Sequence, residues 1–270
     1  MRTNLSSKIT MTRIPRRYYQ PDDVFELSRV TRLEKIPTEI FDTEKEGSAK
    51  VAEEIAALIK TKQAAHEKCV LGLTSGKSMV GIYAELVRLH KKENLSFNNV
   101  VVFLLFEYYP LSGKLKGSYG QLKNMLLDHV DIPEENIFYP DGTMDKHQIM
   151  QACAEYEEKI ASFGGIDLQL LGIGRSGNVG FNEPGSLANS QTRLILLDTL
   201  SREDAAEFFS NVEMVPVSAI TLGISIILKA KRIVLVAWGE HKSTVVKNAV
   251  EGTMSEAIPA SYLQLHSNVK

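Results

Sequence analysis

Hydrophobic residues in this chain alternate between two kinds of pattern. Short apolar runs, typical of buried strands, lie at 69–73, 99–105, 166–172 and 232–238. Between these runs, apolar residues recur every three or four positions, as on one face of a helix, at 44–62, 80–92 and 147–163. Strands that alternate with helices favour a parallel sheet covered on both faces. The pattern therefore predicts an α/β fold, a three-layer sandwich with a mainly parallel, Rossmann-like sheet.

Weaker signals complete the expected order of elements. Short apolar or β-branched stretches predict further strands at 39–41, 194–197 and 261–265. Helical spacing predicts further helices at 122–129, 202–209, 220–230 and 241–251. Pro110, Gly113 and Gly117 interrupt the pattern, so residues 107–120 are expected to form a long irregular loop.

Composition limits the classes of function. The chain has 270 residues, of which 44% are hydrophobic, enough for one large domain or two small ones. A formal net charge of −2 gives no overall basic field for nucleic acid or an anionic membrane. The chain has no run of about 18 apolar residues, so no membrane span is predicted. Cys69 and Cys153 lie in apolar segments, as packing residues do. These properties predict a soluble cytoplasmic protein with no nucleic-acid and no membrane partner.

Residues 1–34 form an extension that differs from the rest of the chain, which we treat as one domain at 35–270. The extension carries five arginines among tyrosines and prolines, namely Arg13, Arg16, Arg17, Arg29 and Arg32. It is either a basic arm for a nucleic acid or a partner's acidic face, or a segment that packs across the domain or a neighbouring subunit. Asp22, Asp23 and Glu26 dilute the charge, which favours packing.

A glycine-rich stretch at 172–177 follows the third apolar run and matches the dinucleotide-binding fingerprint. That fingerprint needs a helix after its last glycine, because the helix N-terminus receives the pyrophosphate. Here Pro184 follows within a few residues, and proline is excluded from a helix interior. We therefore expect no nicotinamide or flavin cofactor.

A second motif follows the first apolar run and precedes a helix. It consists of Ser75, Gly76, Lys77 and Ser78. Backbone N–H groups, hydroxyls and an ammonium at a helix start suit an anion, and a single phosphate on a small molecule fits better than a triphosphate. The alternative is a plain turn in which a serine caps the helix. Lys242, at another predicted strand-to-helix junction, is a candidate second cation.

Glu107 directly follows the second apolar run. A carboxylate at the end of a buried strand is a candidate functional group in such folds. An equally strong alternative is a hydrogen-bonded carboxylate that holds the long loop in place. The six histidines show no metal-ligand spacing, so no metal site is expected.

Several short motifs follow one another in a characteristic order, at 71–76, 107–108, 172–177, 181–186, 215–216, 239–242 and 263–266. With them, the chain resembles the glucosamine-6-phosphate deaminase (isomerase) family over most of its length. The Asn-Glu-Pro-Gly turn at 182–185 points to the deaminases rather than to the related 6-phosphogluconolactonases.

The resemblance implies an aldose–ketose isomerisation with loss of ammonia, from glucosamine 6-phosphate to fructose 6-phosphate. A histidine held by an aspartate and a glutamate opens the sugar ring, and another aspartate moves a proton between two carbons; both are general acid–base steps. The matching positions here hold Asn178, Ser176, Glu183 and Phe106, respectively. Asn178 can donate a hydrogen bond but cannot carry a proton at neutral pH. The candidate catalytic residues are therefore Glu107, Asn178 and Glu183.

The resemblance also bears on the phosphate and on partners. The family's phosphate-binding arginine corresponds to Glu207 in this chain, so Arg175 or Arg202 is expected to supply the missing cation. Relatives continue past the motif at 263–266, and some carry a fused deacetylase-like domain. The domain could therefore have a fused C-terminal domain as its partner or form a homo-oligomer, and the sequence leaves both alternatives open.

Three functions remain open for a protein that binds a small sugar phosphate. The first is a deaminase or isomerase of N-acetylglucosamine and amino-sugar metabolism. The second is a catalytically silent sensor or scaffold that binds a sugar phosphate, and the third, weaker one is a 6-phosphogluconolactonase-type hydrolase. The replaced acid–base groups favour weak or absent deamination.

Overall fold

The computed structural model describes residues 19–270 of the chain. Its strands within that range are β1 (Cys69–Leu73), β2 (Val100–Leu104), β3 (Phe106–Tyr109), β4 (Ile137–Phe138), β5 (Leu168–Gly172), β6 (Arg193–Leu196), β7 (Ser218–Thr221) and β8 (Ile233–Val236). Its α-helices in the same range are α1 (Val24–Thr31), α2 (Glu44–Ala64), α3 (Val80–Glu93), α4 (Ser118–Met125), α5 (Ile149–Ser162), α6 (Thr199–Ala205), α7 (Ile224–Ile227) and α8 (Ser243–Val250).

Five strands form a parallel central sheet in the order β4-β2-β1-β5-β8. Alternate residues of each strand face opposite sides, as the period of a strand requires. In β2, Val102 packs in one core with α2 and α3, whereas Phe103 packs in the other core with residues of α5 and α8. The sheet is therefore covered on both faces, and the predicted three-layer α/β fold is confirmed.

A second, antiparallel sheet of three strands, in the order β3-β7-β6, lies beside the first. Residues predicted as the start of an irregular loop form β3 instead, and the long loop prediction is wrong there. The predicted helix at 220–230 is also wrong in its first part, because Ile220 pairs with Glu107 and Leu194 in this sheet. Only Ile224–Ile227 within that stretch is helical. A continuous apolar run fits a buried strand and a buried helix equally well, so its pattern could not decide.

Two further predictions of strands are wrong. Residues 39–41 form no regular element, and Pro259–Leu265 forms a 3₁₀ helix where a last strand was expected. Pro259 fits the first turn of that helix because the N–H that proline lacks has no helical partner there. Ala260 N–H also bonds to the carbonyl of Gly177, which ties this helix to the glycine-rich loop.

Part of the predicted basic extension, including Arg13, Arg16 and Arg17, lies outside the described residues. Arg29 lies in α1, a helix in which no residue is buried, and pairs there with Glu26. Cys69 and Cys153 are both buried and unpaired, as predicted. Across the described range, no helix has the length and apolar character needed to cross a membrane.

Candidate functional site

A cavity of about 660 Å³ opens at the carboxyl ends of β1, β5 and β8. These three strands are neighbours in a parallel sheet, so the loops that follow them meet at one edge. Residues 74–79, 172–175, 238 and 241–242 of these loops line the cavity, together with side chains of β3 and α6. Its volume lies in the range of small-molecule sites.

The loop after β1 supplies residues 74–79 of the cavity wall. Gly76 has φ of +119°, a conformation that residues with a side chain rarely adopt, and it caps a 3₁₀ turn at Lys77–Met79 that leads into α3. The N–H groups of residues 75–78 have no hydrogen-bond partner within the described part of the chain. Tyr83 anchors the loop, because its hydroxyl donates to the carbonyl of Thr74 at 2.5 Å. The loop therefore offers four free donors at a helix start, as an anion site does.

Two lysines of the cavity, one of them in this loop, lie in different environments. Lys77 is exposed, and its Nζ lies 2.7 Å from Oε2 of Glu207. Lys242 is half-buried, donates to the carbonyl of Ile173 at 3.0 Å, and burial lowers its pKa. His241 is exposed and also lines the cavity.

The polar groups of Ser176 and Asn178 form hydrogen bonds within the protein. Ser176 Oγ donates to Asn178 Oδ1 at 2.8 Å, and Asn178 Nδ2 donates to the carbonyl of Gly180 at 2.8 Å. The amide packs directly over Gly174, where a Cβ atom would lie 1.8 Å from Oδ1. This network holds the glycine-rich loop in shape and leaves the loop with no group that titrates near neutral pH at either position.

Glu183 lies behind this pair and does not line the cavity. Its Oε2 lies 3.3 Å from Ser176 Oγ, and its Oε1 accepts from the backbone N–H of Asp198 at 3.3 Å. Burial raises the pKa of the Glu183 carboxyl, and hydrogen bonds from Ser201 and Asp198 counteract that effect. The structure therefore brings Ser176, Asn178 and Glu183 into one connected group.

Phe106 lines the cavity as part of an aromatic cluster. Its ring centroid lies 4.1 Å from that of Phe181 and 6.1 Å from that of Tyr108. The position that the family resemblance assigns to a proton-transferring carboxylate is thus an apolar wall of the cavity.

Glu107 points away from the cavity and is almost fully buried. Its carboxylate accepts from three backbone N–H groups, those of Tyr108 at 2.8 Å, Ser118 at 2.7 Å and Tyr119 at 2.8 Å. Burial raises the pKa of Glu107 to about 7 in spite of these donors. The sequence left two interpretations of Glu107 open, a functional group or a carboxylate that holds the long loop in place. The geometry favours the second, because the carboxylate binds backbone N–H groups of the segment after β3.

The two arginines expected to replace a missing cation differ in position. Arg175 lines the cavity, but Asp204 and Glu203 hold its guanidinium at 2.9 and 3.0 Å. Arg202 is not a cavity residue, and it donates to the carbonyls of Val212 and Val215.

Trp238 is a cavity residue that sequence reasoning missed. Its Nε1 donates to the carbonyl of Ser78 at 2.8 Å, so it braces the loop at 75–78 against β8. Its place as the last residue of the apolar run at 232–238 was the available signal, because ligand sites in such folds lie at the carboxyl ends of strands.

Comparison with known proteins places the fold and these loops in a family. Residues 42–269 match the family described as glucosamine-6-phosphate isomerases/6-phosphogluconolactonase. A glucosamine-6-phosphate deaminase-like protein of Bacteroides thetaiotaomicron is 55% identical over 269 residues, which are 99% of this chain but 41% of that protein. This chain therefore spans less than half the length of that relative.

Two further comparisons cover most of both proteins. A glucosamine-6-phosphate deaminase of Clostridium botulinum is 42% identical over 221 residues, 82% of this chain and 90% of that protein. The solved structure of a monomeric glucosamine-6-phosphate deaminase superposes with a TM-score of 0.80 at 39% identity, and the match covers 85% of this chain and 93% of that chain. The chain belongs to the glucosamine-6-phosphate isomerase/6-phosphogluconolactonase family.

Proposed function

We propose that this domain binds a hexosamine phosphate in the cavity and deaminates it slowly or not at all. One observation carries the proposal. The cavity keeps a loop with free N–H groups that suits an anion, whereas the positions assigned to the acid–base groups and their orienting aspartate hold Phe106, Asn178 and Ser176. A domain with these properties acts as a sensor or scaffold for an amino-sugar phosphate.

Binding of a phosphate is supported at the loop after β1. The four N–H groups at 75–78 lie at the start of a helix, where the helix dipole also favours negative charge. Lys242 adds an ammonium from the loop after β8, which lines the same cavity, and its present acceptor is a single carbonyl. The rest of the cavity has room for a sugar ring beside Phe106 and Asn178.

Weak turnover is supported by the chemistry of the replaced residues. A missing general acid or base typically costs about 10²–10⁴ in rate. Phenylalanine carries no proton, and the amide of Asn178 neither gains nor loses one near neutral pH. Glu183 is held by its own hydrogen bonds and lies behind Ser176, so it does not reach into the cavity in their place.

The first test is a parallel assay with glucosamine 6-phosphate. We expect ammonia and fructose 6-phosphate to form at least about 100-fold more slowly than with the Clostridium botulinum relative. Turnover near the rate of that relative would refute the claim of weak deamination while leaving the binding site in place.

Binding is tested separately by the midpoint of thermal unfolding, Tm. At about 100 times Kd, glucosamine 6-phosphate should raise Tm by about 5–10 °C through mass action. Glucosamine without phosphate should give a much smaller shift. Lys242→Met should reduce the shift, and Lys247→Met, which removes an exposed lysine from the helix that follows, α8, serves as the matched control. No shift with any hexosamine phosphate would refute binding.

A further inference from the structure

Residues 199–209 lie beside the cavity and form α6 and a 3₁₀ turn, Ala206–Phe209. The cavity is lined by side chains from this 199–209 segment, namely Ser201, Asp204, Ala205 and Phe208. The segment also carries carboxylates that pair with cations of the cavity loops. Glu207 pairs with Lys77 at 2.7 Å, and Arg175 pairs with Glu203 and Asp204.

These pairs change the charge that a ligand meets. Lys77, Arg175 and Lys242 are the lysines and arginines among the described cavity residues. Lys77 and Arg175 are paired with carboxylates. Of these three residues, only Lys242 forms no ion pair within residues 19–270. A phosphate that enters the 75–78 loop therefore meets a neutralised lysine rather than a free one.

We infer that Glu207 is a specificity-determining residue that competes with the phosphate of the ligand for Lys77. This inference rests on the proposed function, because it concerns the same anion site. The ammonium of Lys77 belongs to the loop that would hold the phosphate, so the carboxylate must leave before the phosphate gains that partner. A carboxylate that stays nearby repels a dianion twice as strongly as a monoanion. Glu207 thus weakens the binding of dianionic sugar phosphates.

The pair is suited to such competition. Both side chains are more than 60% exposed, and exposed ion pairs are weak enough to be exchanged for another anion. Substitution of either residue should therefore leave the fold intact. The effect on ligand affinity should exceed the effect on stability.

The experiment compares Glu207→Gln with Glu213→Gln by calorimetric titration of glucosamine 6-phosphate at low salt. Both variants change the net charge equally, but Glu213 is an exposed residue with no ion pair in the described range. We expect Glu207→Gln to lower Kd by about 3- to 10-fold. Glu213→Gln should stay within about twofold of the wild type.

Lys77→Gln then separates competition from a general field effect. If Glu207 occupies Lys77, removal of the lysine costs less than about twofold in affinity in the wild type but about 3- to 10-fold in the Glu207→Gln background. Equal costs in both backgrounds would overturn the inference. Equal Kd values for wild type and Glu207→Gln would also overturn it and leave the proposed function standing. If no variant binds the sugar phosphate, both the inference and the proposed function are wrong.

Discussion

Simultaneous replacement Phe106→Asp, Ser176→Asp and Asn178→His should raise the rate of glucosamine 6-phosphate deamination by at least about 100-fold. The distances between these side chains support this expectation. Ser176 Oγ lies 2.8 Å from the side chain of Asn178 and 3.3 Å from Glu183, so an aspartate, a histidine and Glu183 would stand in one connected group. An aspartate at 106 would face the same cavity.

This triple variant needs two controls, because Phe106 belongs to an aromatic cluster and its loss destabilises the core by about 3–5 kcal/mol. A thermal melt establishes that the variant folds. The double variant Ser176→Asp, Asn178→His leaves Phe106 in place and should remain far less active than the triple variant. A folded triple variant that binds substrate but stays at the wild-type rate would contradict the roles assigned to these three positions.

Replacing Glu107 by leucine should lower the free energy of unfolding by about 3–5 kcal/mol, because three buried backbone N–H groups lose their acceptor. Glu107→Gln is the matched control. Its amide oxygen can still accept from Tyr108 and Ser118, so only the bond from Tyr119 is lost, at a cost of about 1–3 kcal/mol. Urea unfolding at neutral pH measures both values. A leucine variant as stable as the wild type would refute the role of Glu107 in holding the loop.

Glu107 also predicts how stability depends on pH. Burial raises its pKa to about 7 in the folded protein, whereas the unfolded chain has a glutamate pKa of about 4.3. The folded state therefore binds more protons between these values, and its stability relative to Glu107→Gln falls as the pH rises from about 4.3 to 7. A stability difference that stays flat across this window would show that the carboxyl titrates at its ordinary pKa.

Four of the five strands of the central sheet could be predicted because they are buried on both faces, whereas the two-residue, partly buried edge strand β4 was missed. Residues such as Val100–Leu104 form continuous apolar runs, and the helices between them show clear apolar faces, so local pattern was sufficient. The small antiparallel sheet could not be predicted in this way. The pairing of Ile220 with Glu107 joins residues far apart in the chain, and neither stretch carries a local signal for it.

The candidate site could be predicted in part, since the carboxyl ends of neighbouring parallel strands share one edge. Residues 75–78, Asn178 and Lys242 all line the cavity where the loops meet. The direction of each side chain could not be predicted from the sequence. Glu107 alternates away from the cavity while Phe106, its neighbour on the same strand, faces it. The ion pair of Lys77 with Glu207 likewise depends on the tertiary structure, because the two residues lie far apart in the chain.

Trp238 gives the molecule a spectroscopic property. It is the only tryptophan among the 270 residues, and its indole N–H is bound to the carbonyl of Ser78, inside the loop proposed to hold the phosphate. Selective excitation of tryptophan therefore reports from one location, at the wall of the cavity. The unmodified chain carries its own fluorophore beside the loop at 75–78, and emission from this one indole should allow binding of a ligand at that loop to be followed without an attached dye.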